Sequence, residues 1–294
     1  MSPLVSVLMT AYNREQFIAE AIESVLAQTF TDFELIIVDD GSKDHTVEIA
    51  RRYTGDPRVR LHLNENNLGD YPNRNRVAAL AKGRYLKYLD SDDMLYPFGL
   101  GAMVDMMSGH PSVALGLQRP SPKDRPFPIV LTPEQSYREH YLEGGLFGVG
   151  PTGTILLASA FQRFGGFSGK RFVGDVEMWL KLAAVCPVLK FMEGLVWWRS
   201  HSEQQIASET DTFPYGTVAY AIQAAALGES DCPLSERSRF CALRWLKYRH
   251  ARSILRIALR DLRPAKALAV MRGTGFSVSD LKCAFVSGKS LQDS

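Results

Sequence analysis

The sequence lacks the features that mark disulfide-rich, zinc-binding and membrane-spanning proteins. Its 294 residues include only four cysteines, and no two of them form a C-x-x-C pair. This spacing argues against a disulfide framework and a structural zinc site, and it fits a reducing compartment. No run approaches the roughly 18 apolar residues of a membrane span, and the first residues lack the basic and apolar segments of a signal peptide. We therefore expect a cytoplasmic protein.

Net charge is also nearly absent, at +2, but this value hides an uneven distribution. From Glu236 to Ser294 the chain has 13 Lys and Arg against 4 Asp and Glu, a net charge of +9. The remainder has 21 basic and 28 acidic residues, a net charge of −7. An acidic body followed by a basic region predicts two functional surfaces.

Strand and helix patterns alternate through the first hundred residues. Patterns of buried strands lie at Val5–Met9, Glu34–Asp39, Val59–Leu63 and Arg84–Leu89, with helical patterns between them. This alternation predicts right-handed crossovers and a mostly parallel sheet. We expect an α/β fold with a mostly parallel sheet, followed by a helical C-terminal extension.

The patterns after this region are more varied. Residues 119–133 hold five prolines and no periodicity, so we expect a loop there. A strand is predicted at Thr154–Leu157 and a helix at Asp175–Val185. Beyond Glu203 the pattern is helical.

Acidic residues follow two of the predicted strands. Asp39 and Asp40 end the second strand, and Asp90, Asp92 and Asp93 follow the fourth. The carboxyl ends of parallel strands form one edge of a sheet, where ligands bind in such folds. Mg²⁺ takes a few carboxylate ligands and completes its shell with water and phosphate oxygens. The acids therefore predict a divalent metal site, although a solvated, helix-capping cluster is an alternative.

Four ordered motifs closely resemble the family 2 glycosyltransferases, which have the GT-A fold, a single Rossmann-like α/β/α sandwich. They are VSVLMTAYNREQFIAEAIESVLAQTFTDFELIIVDDGSKD, NNLGDYPNRNRVAALAKGRYLKYLDSDD, GGFSGKRFVGDVEMWLKLA and WWRSH. The resemblance covers roughly residues 4–205. It implies a GT-A domain at 1–205, with a nucleotide-binding half at about 1–118 and an acceptor half at 119–205. Residues 206–294 would form a basic helical region.

The resemblance also implies roles for residues of the nucleotide-binding half. Thr10 and Tyr12 match positions that hold the nucleoside. Asp40 matches the acid that accepts the N3–H of uracil, and Asp39 would support the ribose or the loop. Arg74 is a candidate for a phosphate contact, with a solvated helix charge as the alternative.

The metal and the general base are assigned in the same way. Asp92 would bind Mg²⁺ or Mn²⁺ directly, and Asp90 would face the ribose or the metal shell. Asp175 matches the acid that deprotonates the acceptor hydroxyl, although it also fits a helix N-cap. Many relatives have Glu-Asp here, whereas this chain has Gly174-Asp175. Arg199 and His201 resemble a segment near the donor diphosphate, with a surface histidine as the alternative for His201.

The basic C-terminal region contains a predicted amphipathic helix that Pro264 ends. Its basic face consists of Arg249, Arg252, Arg256, Arg260 and Arg263, with Ala251, Leu255, Ala258 and Leu262 on a different face. The helix either packs on the catalytic domain or contacts an anionic membrane at its inner surface. We expect no nucleic-acid partner, because no nucleic-acid-binding motif is present.

The resemblance thus implies an inverting glycosyltransferase with a nucleotide-diphosphate sugar as donor, expected to be a UDP-sugar. The acceptor would be a glycan or lipid-linked hydroxyl in the assembly of a surface polysaccharide or glycoconjugate. One alternative is a Mg²⁺-dependent nucleotidyltransferase, although Thr10–Arg14 contains no glycine for a phosphate loop. A non-catalytic nucleotide-sugar-binding module is the other.

Overall fold

The computed structural model describes residues 2–120, 122, 124–201 and 213–285, and the chain forms two compact units. The first unit comprises Met1–Thr132 and Val149–Ser200, and the second comprises Pro133–Gly148 and His201–Ser294. The second unit therefore takes one segment from within residues 119–205, the predicted acceptor half. The division into nucleotide-binding, acceptor and C-terminal functions stays a prediction.

The strands all lie in the first unit. They are β1 (Val5–Ala11), β2 (Phe33–Asp39), β3 (Val59–Leu63), β4 (Tyr85–Tyr88), β5 (Met94–Leu95), β6 (Leu115–Gln118), β7 (Ile129–Leu131), β8 (Thr154–Leu157), β9 (Val188–Phe191) and β10 (Val196–Trp197). The helices of this unit are α1 (Ile18–Leu26), α2 (Thr46–Arg51), α3 (Asp70–Ala79), α4 (Gly99–Ser108), α6 (Ala158–Arg163) and α7 (Gly174–Val185).

The central sheet has eight strands in the order β3-β2-β1-β4-β8-β6-β9-β7. Strands β3, β2, β1 and β4 are parallel to one another, whereas β8 is antiparallel to both of its neighbours. The mostly parallel α/β sheet predicted from the sequence is confirmed. The chain adds β2 and β3 on one side of β1 and then crosses to β4 on the other side. This is a topological switch point, where α/β sheets bind ligands.

Both faces of β1 are buried, as expected for a central parallel strand. Val5, Val7 and Met9 belong to one apolar cluster together with residues of α1 and α4. Ser6 and Leu8 point to the opposite face and are also buried. Helix α3 contacts β1 and β2. Helices therefore cover the sheet and leave its carboxyl edge as the place for a cleft.

Strand β7 corrects the expectation of a loop over residues 119–133. Ile129 and Leu131 are buried and Val130 is exposed, which is the alternation of a strand with one covered face. Strand β7 pairs antiparallel with β9 at the end of the sheet. An edge strand tolerates neighbouring prolines, since one side of its backbone has no partner strand. Pro128 and Pro133 therefore bracket a strand that the proline content concealed.

The described part of the second unit is helical, as predicted for its residues beyond Glu203, whereas the helix that begins at Pro133 was not predicted. Its helices are α5 (Pro133–Arg138, continued as the π-helix Glu139–Gly144), α8 (Phe213–Gly228), α9 (Glu236–Leu255, continued as the π-helix Arg256–Arg260), α10 (Pro264–Thr274) and the 3₁₀ turn Ser279–Phe285. The part of the helical prediction that falls on residues 203–212 lies outside the described residues. No helix of the described segments is long and apolar enough to cross a bilayer.

The predicted helix ending at Pro264 needs correction. Helical structure ends at Arg260, and Pro264 begins α10 as a first-turn proline, where its missing N–H costs nothing. Leu262, expected on an apolar face, lies between the helices with a positive φ of 53°. Its side chain is 79% exposed. The helical spacing of the arginines continues to Arg263, past the end of the helix at Arg260. Spacing alone therefore does not show where the chain turns.

Candidate active site

The predicted acids meet at one edge of the sheet, beside the switch point. Asp39 is the last residue of β2 and pairs in register with Ala11 at the end of β1. Asp90 follows β4, which is parallel to β1 on its other side. The carboxyl ends of these three strands therefore carry the two acidic segments that the sequence predicted to be neighbours.

Asp39 closes the turn after β2. Its carboxylate accepts hydrogen bonds from the backbone N–H groups of Gly41, at 3.0 Å, and Ser42, at 2.9 Å, and from the Ser42 hydroxyl. Gly41 has a φ of +81°, a conformation that favours glycine. Asp39 is buried, so in this structure it fixes the loop, one of the two roles predicted for it.

Asp40 is buried and holds the loop that leads into α3. Its Oδ1 accepts hydrogen bonds from the Asn64 amide, at 2.7 Å, and the Leu68 backbone N–H, at 2.8 Å. Its Oδ2 accepts one from the Gly69 N–H at 2.9 Å. These bonds fix the loop at the mouth of the cleft. The predicted contact of Asp40 with a base stays a prediction.

The loop after β1 is joined to the loop after β2 by hydrogen bonds, which we call the two-loop frame. The backbone N–H of Asn13 donates to the Ser42 hydroxyl at 2.9 Å, and that of Arg14 donates to the Thr46 hydroxyl at 2.7 Å. Thr10 is half-buried at the end of β1, and Tyr12 is exposed. The predicted nucleoside-binding residues therefore sit on or beside a fixed loop.

Three carboxylates cluster after β4. One oxygen each from Asp90, Asp92 and Asp93 lies within 4.8 Å of the others. The sequence named Asp90 and Asp92 as metal ligands, and the structure adds Asp93 to them. Asp93 is nearly inaccessible. Burial, together with the charge of Asp90, raises its pKa to about 7, so the cluster carries negative charge that a cation would relieve.

Arg74 bridges two acids beneath this cluster. Its Nε donates to Asp70 and its Nη1 donates to Asp90, both at 2.7 Å. Burial opposes the ionisation of Asp90, but the charges of Arg74 and Lys87 outweigh it and hold its pKa below the usual value. Arg74 was predicted to reach a phosphate. In this structure it acts as the buried counter-ion of Asp90.

Two further cations were not found from the sequence. Arg14 Nε lies 3.2 Å from Asp92 Oδ2. Lys87 is fully buried on β4, and its ammonium donates to the carbonyls of Tyr88, at 2.8 Å, and Thr152. Burial lowers its pKa to about 7, against the opposing effect of Asp90. Lys87 lies within a predicted strand, but the strand pattern does not indicate that a lysine at this position is buried.

Arg199 secures the acidic segment from the other side. Its backbone N–H donates to Asp93 Oδ1 and its Nε to the Asp92 carbonyl, both at 3.0 Å. Its guanidinium also pairs with Glu20 and lies over the Phe17 ring. Arg199 therefore positions the metal-site candidates. His201 is partly buried and belongs to the second unit.

Asp175 lies in the first turn of α7 and is linked to α3. Its backbone N–H donates to the Tyr71 hydroxyl at 3.2 Å, and its Oδ1 accepts from the Val176 N–H at 2.7 Å. Burial raises the pKa of Asp175 to about 6. A carboxylate of that basicity is suited to accept a proton near neutral pH. Arg74, three residues after Tyr71, acts on the charge of both Asp175 and Asp90.

Known proteins match this chain in sequence and in fold. The sequence profile of the family described as "Glycosyl transferase family 2" matches residues 6–165. An uncharacterised glycosyltransferase of Rickettsia prowazekii is 31% identical over 213 residues, which cover 69% of this chain and 66% of that protein. The chain thus spans about two thirds of that relative's length.

Two solved structures have a similar fold at low sequence identity. S. aureus TarS 1-349 in complex with UDP-GlcNAc has a TM-score of 0.72 and 18% identity, covering 99% of this chain and 88% of that chain. The mannosyltransferase PcManGT from Pyrobaculum calidifontis, in complex with GDP-Man and Mn²⁺, has a TM-score of 0.66 and 16% identity. That match covers 100% of this chain and 81% of that chain. These structures support the predicted GT-A fold.

Replacing Arg74 by Met should destabilise the protein, because it leaves Asp70 and Asp90 without their shared counter-ion. Breaking such a buried pair costs about 3 kcal/mol. Arg76→Met is the matched control, since Arg76 is exposed on the same helix and such changes cost less than about 0.5 kcal/mol. Urea denaturation measures both variants. Equal midpoints for the two would show that the bridge contributes nothing.

Proposed function

The chain belongs to glycosyl transferase family 2, and we propose that it is an inverting, metal-dependent enzyme that moves a sugar from a nucleotide-diphosphate donor to a hydroxyl acceptor. The observation that carries this proposal is the cluster of Asp90, Asp92 and Asp93 at the switch point of the sheet. Asp175 is tied to the same edge through α3.

The donor in this proposal is a UDP-sugar. S. aureus TarS has been solved with UDP-GlcNAc, which supports this choice. Asp40 Oδ2 accepts one hydrogen bond in this structure, and a carboxylate oxygen has two lone pairs. The second lone pair suits the N3–H of uracil, whereas cytosine has no hydrogen at that position. Thr10 and Tyr12 would complete the nucleoside contact from the end of β1.

The donor set of the acid cluster fits a hard divalent cation. Three carboxylates with oxygens within 4.8 Å of one another can ligate Mg²⁺ or Mn²⁺. PcManGT has been solved with Mn²⁺. Asp92, Asp90 and Asp93 would hold the ion, with Arg14 balancing the charge of Asp92 in its absence. When bound, the ion would stabilise negative charge on the leaving diphosphate.

Asp175 is the proposed general base. Inversion needs attack by the acceptor oxygen on the anomeric carbon from the side opposite the diphosphate, while a base takes the hydroxyl proton. The partly buried carboxylate of Asp175, with a pKa of about 6, is ionised at neutral pH and basic enough for this role. Arg199 and His201 are proposed to act near the diphosphate, Arg199 by fixing the acidic segment.

The acceptor is proposed to be a glycan or lipid-linked hydroxyl, in the assembly of a surface polysaccharide or glycoconjugate. This assignment rests on analogy with the activities of other family members. A corner of the second unit supports contact with an anionic membrane. Leu259 and Leu262 are 71% and 79% exposed, and they alternate with the exposed Arg256, Arg260 and Arg263.

This corner is built to present its leucines outwards. Ile257 packs in the apolar core of the unit, and its carbonyl accepts a hydrogen bond from the Arg263 N–H at 3.0 Å. The Asp261 N–H donates to the Arg256 carbonyl at 3.0 Å. Exposed leucines beside arginines complement a bilayer with acidic headgroups, where each basic residue contributes about 1 kcal/mol.

The function is tested with a panel of nucleotide sugars, by release of the nucleotide diphosphate and by thermal denaturation. A UDP-sugar should raise the melting temperature and be turned over when Mn²⁺ is present, because the cluster needs a cation to accept a diphosphate. EDTA should abolish both effects. Release of pyrophosphate from a nucleoside triphosphate would indicate the nucleotidyltransferase alternative. Binding without turnover, with any acceptor tried, would indicate the non-catalytic module.

Asp175→Asn should reduce turnover by about 100-fold or more and leave donor binding intact, because the amide cannot take a proton. In the wild-type enzyme the rate should rise with pH through an acid limb near the Asp175 pKa of about 6. Glu177→Gln is the control, as Glu177 lies on the same helix and pairs with Lys170 and Lys181. Undiminished turnover by Asp175→Asn would reject the assignment of the base.

Replacing Leu259 and Leu262 together by Ser should weaken binding to vesicles of phosphatidylcholine and phosphatidylglycerol. We expect a loss of roughly tenfold or more, since burying a leucine contributes about 1.5–3 kcal/mol. Phe240→Ser is the control, because Phe240 is exposed on α9 about four turns before the C-terminal end of that helix. Co-sedimentation measures binding. The proposal of a membrane surface would be rejected if both variants bind vesicles equally. It would also be rejected if the wild-type protein forms a concentration-dependent dimer that the leucine variant does not form.

A further inference from the structure

Tyr71 is an unexpected neighbour of Asp175. It lies on α3 and is buried, and its hydroxyl accepts the hydrogen bond from the Asp175 backbone N–H. The same hydroxyl lowers the pKa of the Asp175 carboxylate against the effect of burial. Burial and the charge of Asp175 raise the pKa of Tyr71. The phenol therefore stays protonated while its oxygen anchors the Asp175 backbone.

Gly174 is required by this arrangement. A Cβ at position 174 would lie 3.0 Å from three atoms of the Tyr71 ring, closer than the 3.5–4.0 Å of ordinary carbon contacts. A side chain therefore fits at 174 only if Tyr71 moves. In this chain the ring of Tyr71 occupies the space that such a side chain would enter.

The position of Tyr71 is fixed by packing. Its ring lies 5.1 Å from that of Phe167, on the segment that leads to α7. Asn75, one turn along α3, accepts a hydrogen bond from the Phe167 N–H at 2.9 Å and donates to the Phe167 carbonyl at 2.7 Å. Tyr71 and Asn75, one turn apart on α3, thus both contact Phe167 in the segment that leads to Asp175.

We propose that Tyr71 is a positioning residue that anchors the backbone of Asp175 through its hydroxyl and so holds this acid in the orientation needed to receive a proton. This inference rests on the proposed role of Asp175 as general base. Two charged residues of α3 also act on Asp175: Arg74 lowers its pKa and Asp70 raises it. Removing only the Tyr71 hydroxyl leaves both charges in place, so its effect can be measured separately.

Tyr71→Phe tests the proposal, since it keeps the ring and removes the hydroxyl. We expect kcat for the UDP-sugar found in the panel to fall roughly tenfold, because the hydrogen bond that anchors the Asp175 backbone is lost. KM for the donor should stay within about twofold. The acid limb of the kcat profile should move to higher pH, because the Tyr71 hydroxyl lowers the pKa of Asp175.

Tyr88→Phe is the matched control. Tyr88 is also buried and packs against Phe167, but its hydroxyl donates to the Arg74 carbonyl at 3.0 Å. It should lose a comparable amount of stability and keep the wild-type midpoint of the acid limb. A midpoint that shifts equally in both variants would overturn the proposal, because the effect would then be one of packing.

Thermal denaturation gives a readout that needs no substrate. The pKa of Asp175 is about 6 in the folded protein and ordinarily 3.8. Between these values the folded state holds more protons than the unfolded state, so its stability falls as pH rises. Tyr71→Phe raises the folded pKa further, so its deficit relative to wild type should grow as pH passes through 6 and above. A deficit that is constant with pH would contradict the proposal.

The failure of this inference is distinguishable from failure of the proposed function. Full turnover by Asp175→Asn would show that Asp175 is not the general base, and Tyr71 would then have no catalytic group to position. Loss of turnover in Asp175→Asn, combined with a wild-type kcat and acid limb in Tyr71→Phe, would overturn the positioning role alone. Gly174→Ala should lower kcat in the wild-type background, with less than an additive effect in Tyr71→Phe, because both changes act through one contact.

Discussion

The charge of Arg74, buried between Asp70 and Asp90, is the interaction on which the sheet edge depends. An acid cluster of this density would otherwise protonate or open to water, since buried like charges repel strongly. Arg74 keeps Asp90 ionised, while Lys87 and Arg14 balance the remaining charge from below and from the β1 loop. The site is therefore a balance of fixed cations and carboxylates.

The sequence was sufficient to predict the parallel sheet and the meeting of its acids. Strand and helix periods alternate clearly from β1 to β4, and parallel strands must bring their carboxyl ends to one edge. Asp39 and Asp90 therefore had to be neighbours once the strands were assigned. The ordered motifs then identified the family and singled out Asp175, whose low exposure and raised pKa suit a base.

Features that depend on tertiary contacts could not be predicted in this way. Strand β7 is too short for its alternation to outweigh the surrounding prolines, and its existence depends on pairing with β9. The contact between Arg14 and Asp92 spans 78 positions in sequence. The ring of Tyr71 fills the space beside Gly174, a contact that a single sequence cannot reveal. Leu262 is exposed because the chain turns after Arg260, a change that helical periodicity does not report.

The two-loop frame has a consequence for how the cleft can move. The Asn13 amide donates to the Ser42 hydroxyl of the neighbouring loop and the Arg14 amide to the Thr46 hydroxyl at the start of α2, so these segments cannot separate without exposing both amides to solvent. Slow isotope exchange at these two amides would accompany a preformed sheet edge. Entropy lost when the proposed donor binds there would then come mainly from the ligand, with little contribution from the β1 loop.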